Sequence, residues 1–211
     1  MKRRIFRIMI LCLAAVLLLG LSSCGREEEE QQTASGSMPE YDLEQLSSYV
    51  ALEAYVGLTV SLPDPATAKS DAVWEQILAS ARILSYPEEQ VEYYAAQTRA
   101  RYRYTAKQNG MTYEELLETL GVTEEDVRKE AKDMVKGDLV YRYIVGDAGI
   151  TLTQTEKAAL FDRYADKFVA DYGYNKSYVT EQMADLIYDT MLYDKTMEYL
   201  VLNNTFVTAE R

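Results

Sequence analysis

Chemistry needs a nucleophile, a base or a metal ligand, and this sequence is poor in all three. It contains no histidine, which removes the commonest general base and the commonest metal ligand. Its two cysteines are Cys12, inside the apolar run from Ile8 to Leu21, and Cys24 just beyond it. Zinc sites and Ser/His or Cys/His triads are therefore not available to the folded part. One carboxylate sits where a buried acid would: Asp138 falls on the apolar helical face of Val127, Ala131, Met134, Tyr141 and Val145, with Arg142 one turn later. That spacing reads as an internal ion pair rather than a catalytic acid. What the chain has in quantity is tyrosine, with 18 residues.

The chain opens MKRRIFRIMILCLAAVLLLGLSSCG, a basic start followed by a short apolar run and small residues. This is the pattern of a secretory signal, too short for a membrane span. Its end, Leu21-Ser22-Ser23-Cys24, resembles a bacterial lipobox, in which lipid is attached to the cysteine thiol and the peptide is cut just before it. The implied organisation is a signal peptide over 1–23, a lipidated Cys24 with a flexible acidic tether over 24–47, and a folded body over 48–211. Cys12 leaves with the signal and the thiol of Cys24 is blocked, so no internal disulfide is expected despite export. The net charge of −12 includes four leader cations, and removing those four gives −16. Such a surface repels phosphate backbones, so nucleic acid is not an expected partner.

The elements are explicit after the polar EEEEQQTASGS stretch, which lacks the aliphatic residues needed to offset chain ordering. Val56–Leu62 predicts one short strand, stopped by Pro63 and Pro65. Everything after Ser70 reads as helix. Pro87 suits a first helical position, with Asn109-Gly110 ending that helix. Thr112 with Glu115, Thr123 with Asp126, and Thr153 with Glu156 form capping boxes or close analogues, with Gly121 and Gly173 as stops. Ser177 is the expected cap of a last helix running to Asn203-Asn204. Six helices with short loops make an all-α body.

Two helices have unusual faces. The one from Pro87 offers only Val91, Tyr94, Ala95, Thr98 and Tyr102 on its best side, with Tyr93, Ala100 and Tyr104 opposite. So thin a face predicts an arm supported at one side, since each buried aliphatic side chain contributes only about 1.5–3 kcal/mol. The last helix has a core stripe of Val179, Met183, Leu186, Ile187, Met197, Leu200 and Val201, and a second stripe of Tyr188, Leu192 and Tyr199. That second stripe either packs on another helix of the chain or awaits a partner. The helix from Thr153 is simpler, with Leu160, Phe161, Tyr164, Phe168 and Tyr172 on one core face.

In order along the chain, YPEEQVEYY, Gly121 before Thr123-Glu124-Glu125, Gly149-Ile150-Thr151 before a capped helix, Tyr172-Gly173, and EYLVLNN resemble landmarks of the C-terminal, client-binding domain of trigger factor. Upstream, Tyr55, Gly57 and Leu58 in YDLEQLSSYVALEAYVGLTV extend the resemblance toward the start of the body. It implies an all-α, multi-helix chaperone body with helical arms, an architecture shared with the periplasmic chaperone SurA, carrying at most the one short N-terminal strand. The ribosome-docking domain is absent, and the space between Val60 and Trp74 is too short for a prolyl isomerase domain, so ribosome binding and isomerase activity are not carried over.

The resemblance gives the tyrosine-rich surface a purpose. A chaperone must hold many unfolded sequences weakly, and tyrosine supplies apolar area with a polar tip. The expected client-binding residues are Tyr93, Tyr104, Tyr188, Leu192 and Tyr199. The expected protein is a lipid-anchored, ATP-independent holdase on the extracytoplasmic face of the cell membrane, binding unfolded or newly exported polypeptides. It is no enzyme, uses no cofactor or metal, and has neither ribosome nor nucleic acid as partner. The alternatives are a structural or assembly lipoprotein with one dedicated envelope partner, a prolyl isomerase-associated folding factor, and a tyrosine-lined ligand site. The last ranks low because the tyrosines are spread over several helices.

Overall fold

The computed structural model describes Tyr41 and residues 43–208. The leader, Cys24 and the acidic run, on which the lipoprotein reading rests, lie outside the described residues. The chain divides into two compact units, one holding the described residues up to Tyr49 with Ile83–Leu139, the other Val50–Arg82 with the described residues from Val140. Tyr41 and Leu46, within the segment expected to be tether, are buried. The folded part thus begins earlier than residue 48.

Local capping chemistry sets the helix ends of the first unit. The unit holds α2 (Glu88–Gln108), α3 (Tyr113–Leu120) and the first part of α4 (Glu124–Asp147), α1 (Lys69–Ser80) belonging to the other unit. Before α3, the Glu115 N–H donates to Thr112 Oγ1 at 3.1 Å and the Thr112 N–H to Glu115 Oε2 at 2.8 Å. Thr123 and Asp126 repeat the exchange before α4. Each cap satisfies N–H groups that have no partner within the helix, and contributes about 1 kcal/mol. Gly121 ends α3 at φ 64°, a left-handed conformation that glycine adopts without steric cost. At the start of α2, Pro87 sits one residue outside the helix as its N-cap.

The thin face of α2 is the buried one. Val91, Tyr94, Ala95 and Thr98 are all nearly inaccessible, as are Val127, Ala131, Met134 and Val135 of α4. Charge completes what aliphatic area does not supply. Arg99 pairs with Glu124 at 3.0 Å, Arg101 with Glu130 at 2.6 Å, and Arg128 of α4 reaches back to Glu88 and Glu92. α4 itself runs unbroken through Gly137.

The second unit contains β1 (Thr59–Leu62), α1 (Lys69–Ser80), the end of α4, α5 (Gln154–Tyr172), α6 (Lys176–Gln182), α7 (Ala184–Leu202) and β2 (Thr205–Thr208). α5, α6 and α7 close around Ala165, Phe168, Val179, Met183, Ile187 and Met191. α1 packs on β1 and on α7, burying Val73, Trp74 and Ile77. Thr153 and Glu156 cap α5 reciprocally, and Gly173 ends it at φ 72°.

Three expectations need correction here. The last helix is two: the chain breaks at Met183, whose φ of −118° and ψ of 17° leave the helical region. Ser177 is not the cap; Asn175 is, its Oδ1 accepting from the Ser177 N–H at 2.9 Å while the Ser177 hydroxyl donates to the same oxygen. And the chain is not helical to the end, because Thr205–Thr208 pairs in parallel with Thr59–Leu62, Thr59 opposite Thr205. The strand expected over Val56–Leu62 is thus real but shorter.

Asn204 fastens that sheet to α7. Its Oδ1 accepts from the Leu58 N–H at 2.7 Å, and its Nδ2 donates to the carbonyls of Tyr55 at 3.0 Å and Leu200 at 2.7 Å. Beside it the Gly57 N–H donates to the Asn203 carbonyl at 2.8 Å, with Gly57 at φ 71°. Tyr55, Gly57 and Leu58 therefore meet the terminal Asn203-Asn204.

Candidate client-binding surface

The five sequence-derived residues fall in both units and differ in exposure. Tyr104, near the end of α2, is 47% exposed. Tyr93 is half-buried, its ring set edge-on to Tyr94 at 5.5 Å. Tyr188 lies on the α5 side of α7, 5.3 Å from the Phe161 ring with the Lys157 ammonium 4.8 Å above it. It packs against the core cluster of that unit, so for Tyr188 the second stripe meets another helix of the same chain. Leu192 and Tyr199 are half-buried. Tyr199 belongs with Tyr143 to the surroundings of Tyr55, whose hydroxyl donates to Asp147 at 2.5 Å. The stripe is thus a half-covered seam, not an open strip.

Other large apolar side chains are exposed alongside Tyr104. In the first unit they are Leu84, Met111 and Leu120, the last at 53%. Tyr104, Met111 and Leu120 all belong to the α2–α3 hairpin, two helices that pack on each other. Met111 occupies the turn before α3 and Leu120 its final position. In the second unit the exposed ones are Val56, Leu202 and Val207, Leu202 at 75%. These flank the sheet that the sequence reading did not contain.

Tyrosines are also more gathered than their spacing suggests. Phe168, Tyr172, Tyr174 and Tyr178 form a chain of ring contacts with centroids 5.6, 6.2 and 5.6 Å apart. Each pair is tilted, the geometry that aromatic quadrupoles favour over flat stacking.

Burial and a hydrogen bond to Glu124 push Tyr113 up to about 12, while the same bond, with Arg99, lowers Glu124. Burial and Asp194 raise Tyr164 to about 12, and burial raises Tyr55, Tyr172, Tyr174 and Tyr193. The Lys195 ammonium, with the Thr153 cap, holds Glu156 at about 2. Each of these shifts moves its group away from neutrality, whereas an acid–base catalyst is tuned toward it. Among the described residues no group of His, Cys, Asp or Glu could hold a metal ion, and no helix is long and apolar enough to cross a membrane.

A family model described as the C-terminus of bacterial trigger factor protein matches residues 64–202, well over half the chain, and the protein belongs to that family. Neither the curated proteins nor the solved structures gave a match. β1 ends just before the matched span, while Asn203, Asn204 and β2 follow it.

Proposed function

We propose that the protein is a membrane-anchored chaperone that binds unfolded or newly exported polypeptides outside the cytoplasm, without ATP and without covalent chemistry. Membership of the trigger factor C-terminal family carries this reading, because that domain is the client-binding module rather than the isomerase. The residues available to an inserted isomerase domain between β1 and α1 are only 63–68. The leader pattern ending at Cys24 supports lipid attachment, and the acidic balance keeps a surface with exposed apolar side chains soluble.

The test dilutes a chemically denatured model protein into buffer with the purified full chain and follows aggregation by light scattering. Suppression near stoichiometric ratios, with binding to several unrelated unfolded chains, is the expected result. No suppression by a folded, monodisperse preparation refutes the holdase role, and co-purification of one stoichiometric envelope protein would then favour a dedicated assembly partner.

A further inference from the structure

The parallel sheet of the second unit is a single ladder between β1 and β2. β2 has no second neighbour among the described residues. The Thr205 N–H donates to the Leu58 carbonyl at 2.9 Å, and Thr205 lies opposite Thr59. In a parallel ladder, then, Thr205 and Val207 direct their backbone groups at β1, and Phe206 and Thr208 direct theirs at the outer edge. No partner of those outward groups occurs among the described residues.

Natural edges are usually guarded by lysine, proline, a bulge or a cover. β2 reads Thr-Phe-Val-Thr, with no charge and no proline, and both threonine and valine favour strands. Its side chains are divided. Phe206 lies opposite the buried Val60 and under the Lys69 ammonium at 5.3 Å, whereas Val207 is exposed. The exposed Leu202 and Val56 lie at the two chain segments that lead into β2 and β1. The edge thus presents hydrogen-bonding groups at strand spacing, with apolar side chains beside them.

We infer that the outer edge of β2 accepts an extended, uncharged apolar segment of a client polypeptide as a third strand. The inference rests on the client-binding reading above and specifies how one part of a client is held. Strand addition is suited to sequence-tolerant binding, because the main chain supplies affinity and side-chain fit only modulates it. A second copy of the chain is a poorer occupant. A four-residue edge pairing with itself falls far short of the roughly 1,200–2,000 Å² that a stable protein interface buries.

The probe is a fluorescein-labelled peptide of alternating valine and threonine, its affinity for the full chain read by fluorescence anisotropy. Thr208→Pro removes one outward N–H and leaves the bonds to β1, and Val207→Lys places a guarding charge beside the edge. The bond lost or blocked in each variant should weaken peptide binding about fivefold while circular dichroism and aggregation suppression by the other apolar surfaces persist. The same loss is expected on the unaltered chain with a peptide N-methylated at alternate residues, which needs no variant to fold. Equal binding of the methylated and plain peptides, or equal affinity of both variants, overturns the proposal. So does a variant that changes self-association but not peptide affinity. If the unaltered chain neither binds the peptide nor suppresses aggregation, the client-binding reading falls as well; if it suppresses aggregation without backbone-dependent peptide binding, only the edge proposal falls.

Discussion

Replacing Asn204 by alanine removes three hydrogen bonds in one step, those with the Leu58 N–H and with the carbonyls of Tyr55 and Leu200. Each is partly buried, and a bond of this kind is worth about 1 kcal/mol net, so the loss should be about 2–3 kcal/mol. Trp74 is the single tryptophan of the chain and is buried in α1, which packs on β1. Its fluorescence therefore reports unfolding of the affected unit. With urea slopes of about 1–3 kcal/mol per molar, the midpoint should fall by about 1 M or more at unchanged slope. Asn204→Asp keeps the acceptor toward Leu58 but sets a carboxylate against two carbonyl oxygens, so it should destabilise at least as much at neutral pH. A stability within about 0.5 kcal/mol of the unaltered chain for Asn204→Ala would show that these bonds are exchanged for water at no cost, and would refute the fastening role.

Tyr104→Ser, Met111→Ser and Leu120→Ser combined should weaken binding of a denatured client while leaving helix content unchanged, since all three are exposed; unaltered affinity in an anisotropy titration would remove the hairpin from the binding surface. Tyr188→Ser, in contrast, should lower the unfolding midpoint of its unit, because its ring packs on Phe161. Gly173→Ala should cost about 1 kcal/mol through the left-handed backbone alone, the added methyl meeting open space, as measured by urea unfolding. Glu156 titrates near 2 when folded and about 4.3 when unfolded. A lowered folded value stabilises above the unfolded one, so the stability lost in Glu156→Gln should be full at neutral pH and vanish as pH falls from about 4.3 toward 2.

What the sequence made legible was local. Thr112 with Glu115 and Thr153 with Glu156 act over three residues, so their caps could be read without knowing the fold, as could the stops at Gly121 and Gly173. The buried stripe of α2 was equally readable, because Val91, Tyr94, Ala95 and Thr98 recur at helical spacing. β2 was not. Four residues, Thr205–Thr208, carry too little periodicity to announce a strand, and their partner lies far back in the chain at Thr59–Leu62. The break at Met183 was hidden for the opposite reason, since the apolar spacing continues across it into Ile187 and Met191. The site was less legible, because apolar spacing alone does not say whether a second stripe packs on another helix or stays open. Tyr188 is claimed by Phe161 and Lys157, contacts that depend on how α5 and α7 come together, whereas Met111 and Leu120 stand out only because they sit at helix ends.

The pairing of β1 with β2 also bears on the order in which the molecule can be made. The first unit is built largely from one continuous stretch, Ile83–Leu139, whereas the second needs Val50–Arg82 and the residues after Val140 together. Contacts this distant in sequence form slowly, because the intervening chain must give up its freedom before they stabilise anything. A chain emerging from its N-terminal end can complete α2, α3 and the ion pairs of α2 with the start of α4 early, but β1 must wait until Asn204 and Thr205 appear. During that interval Val60 and Leu62, buried in the finished protein, are themselves an uncovered apolar strand, and the nascent second unit is for a time an unfolded chain with an open strand of its own.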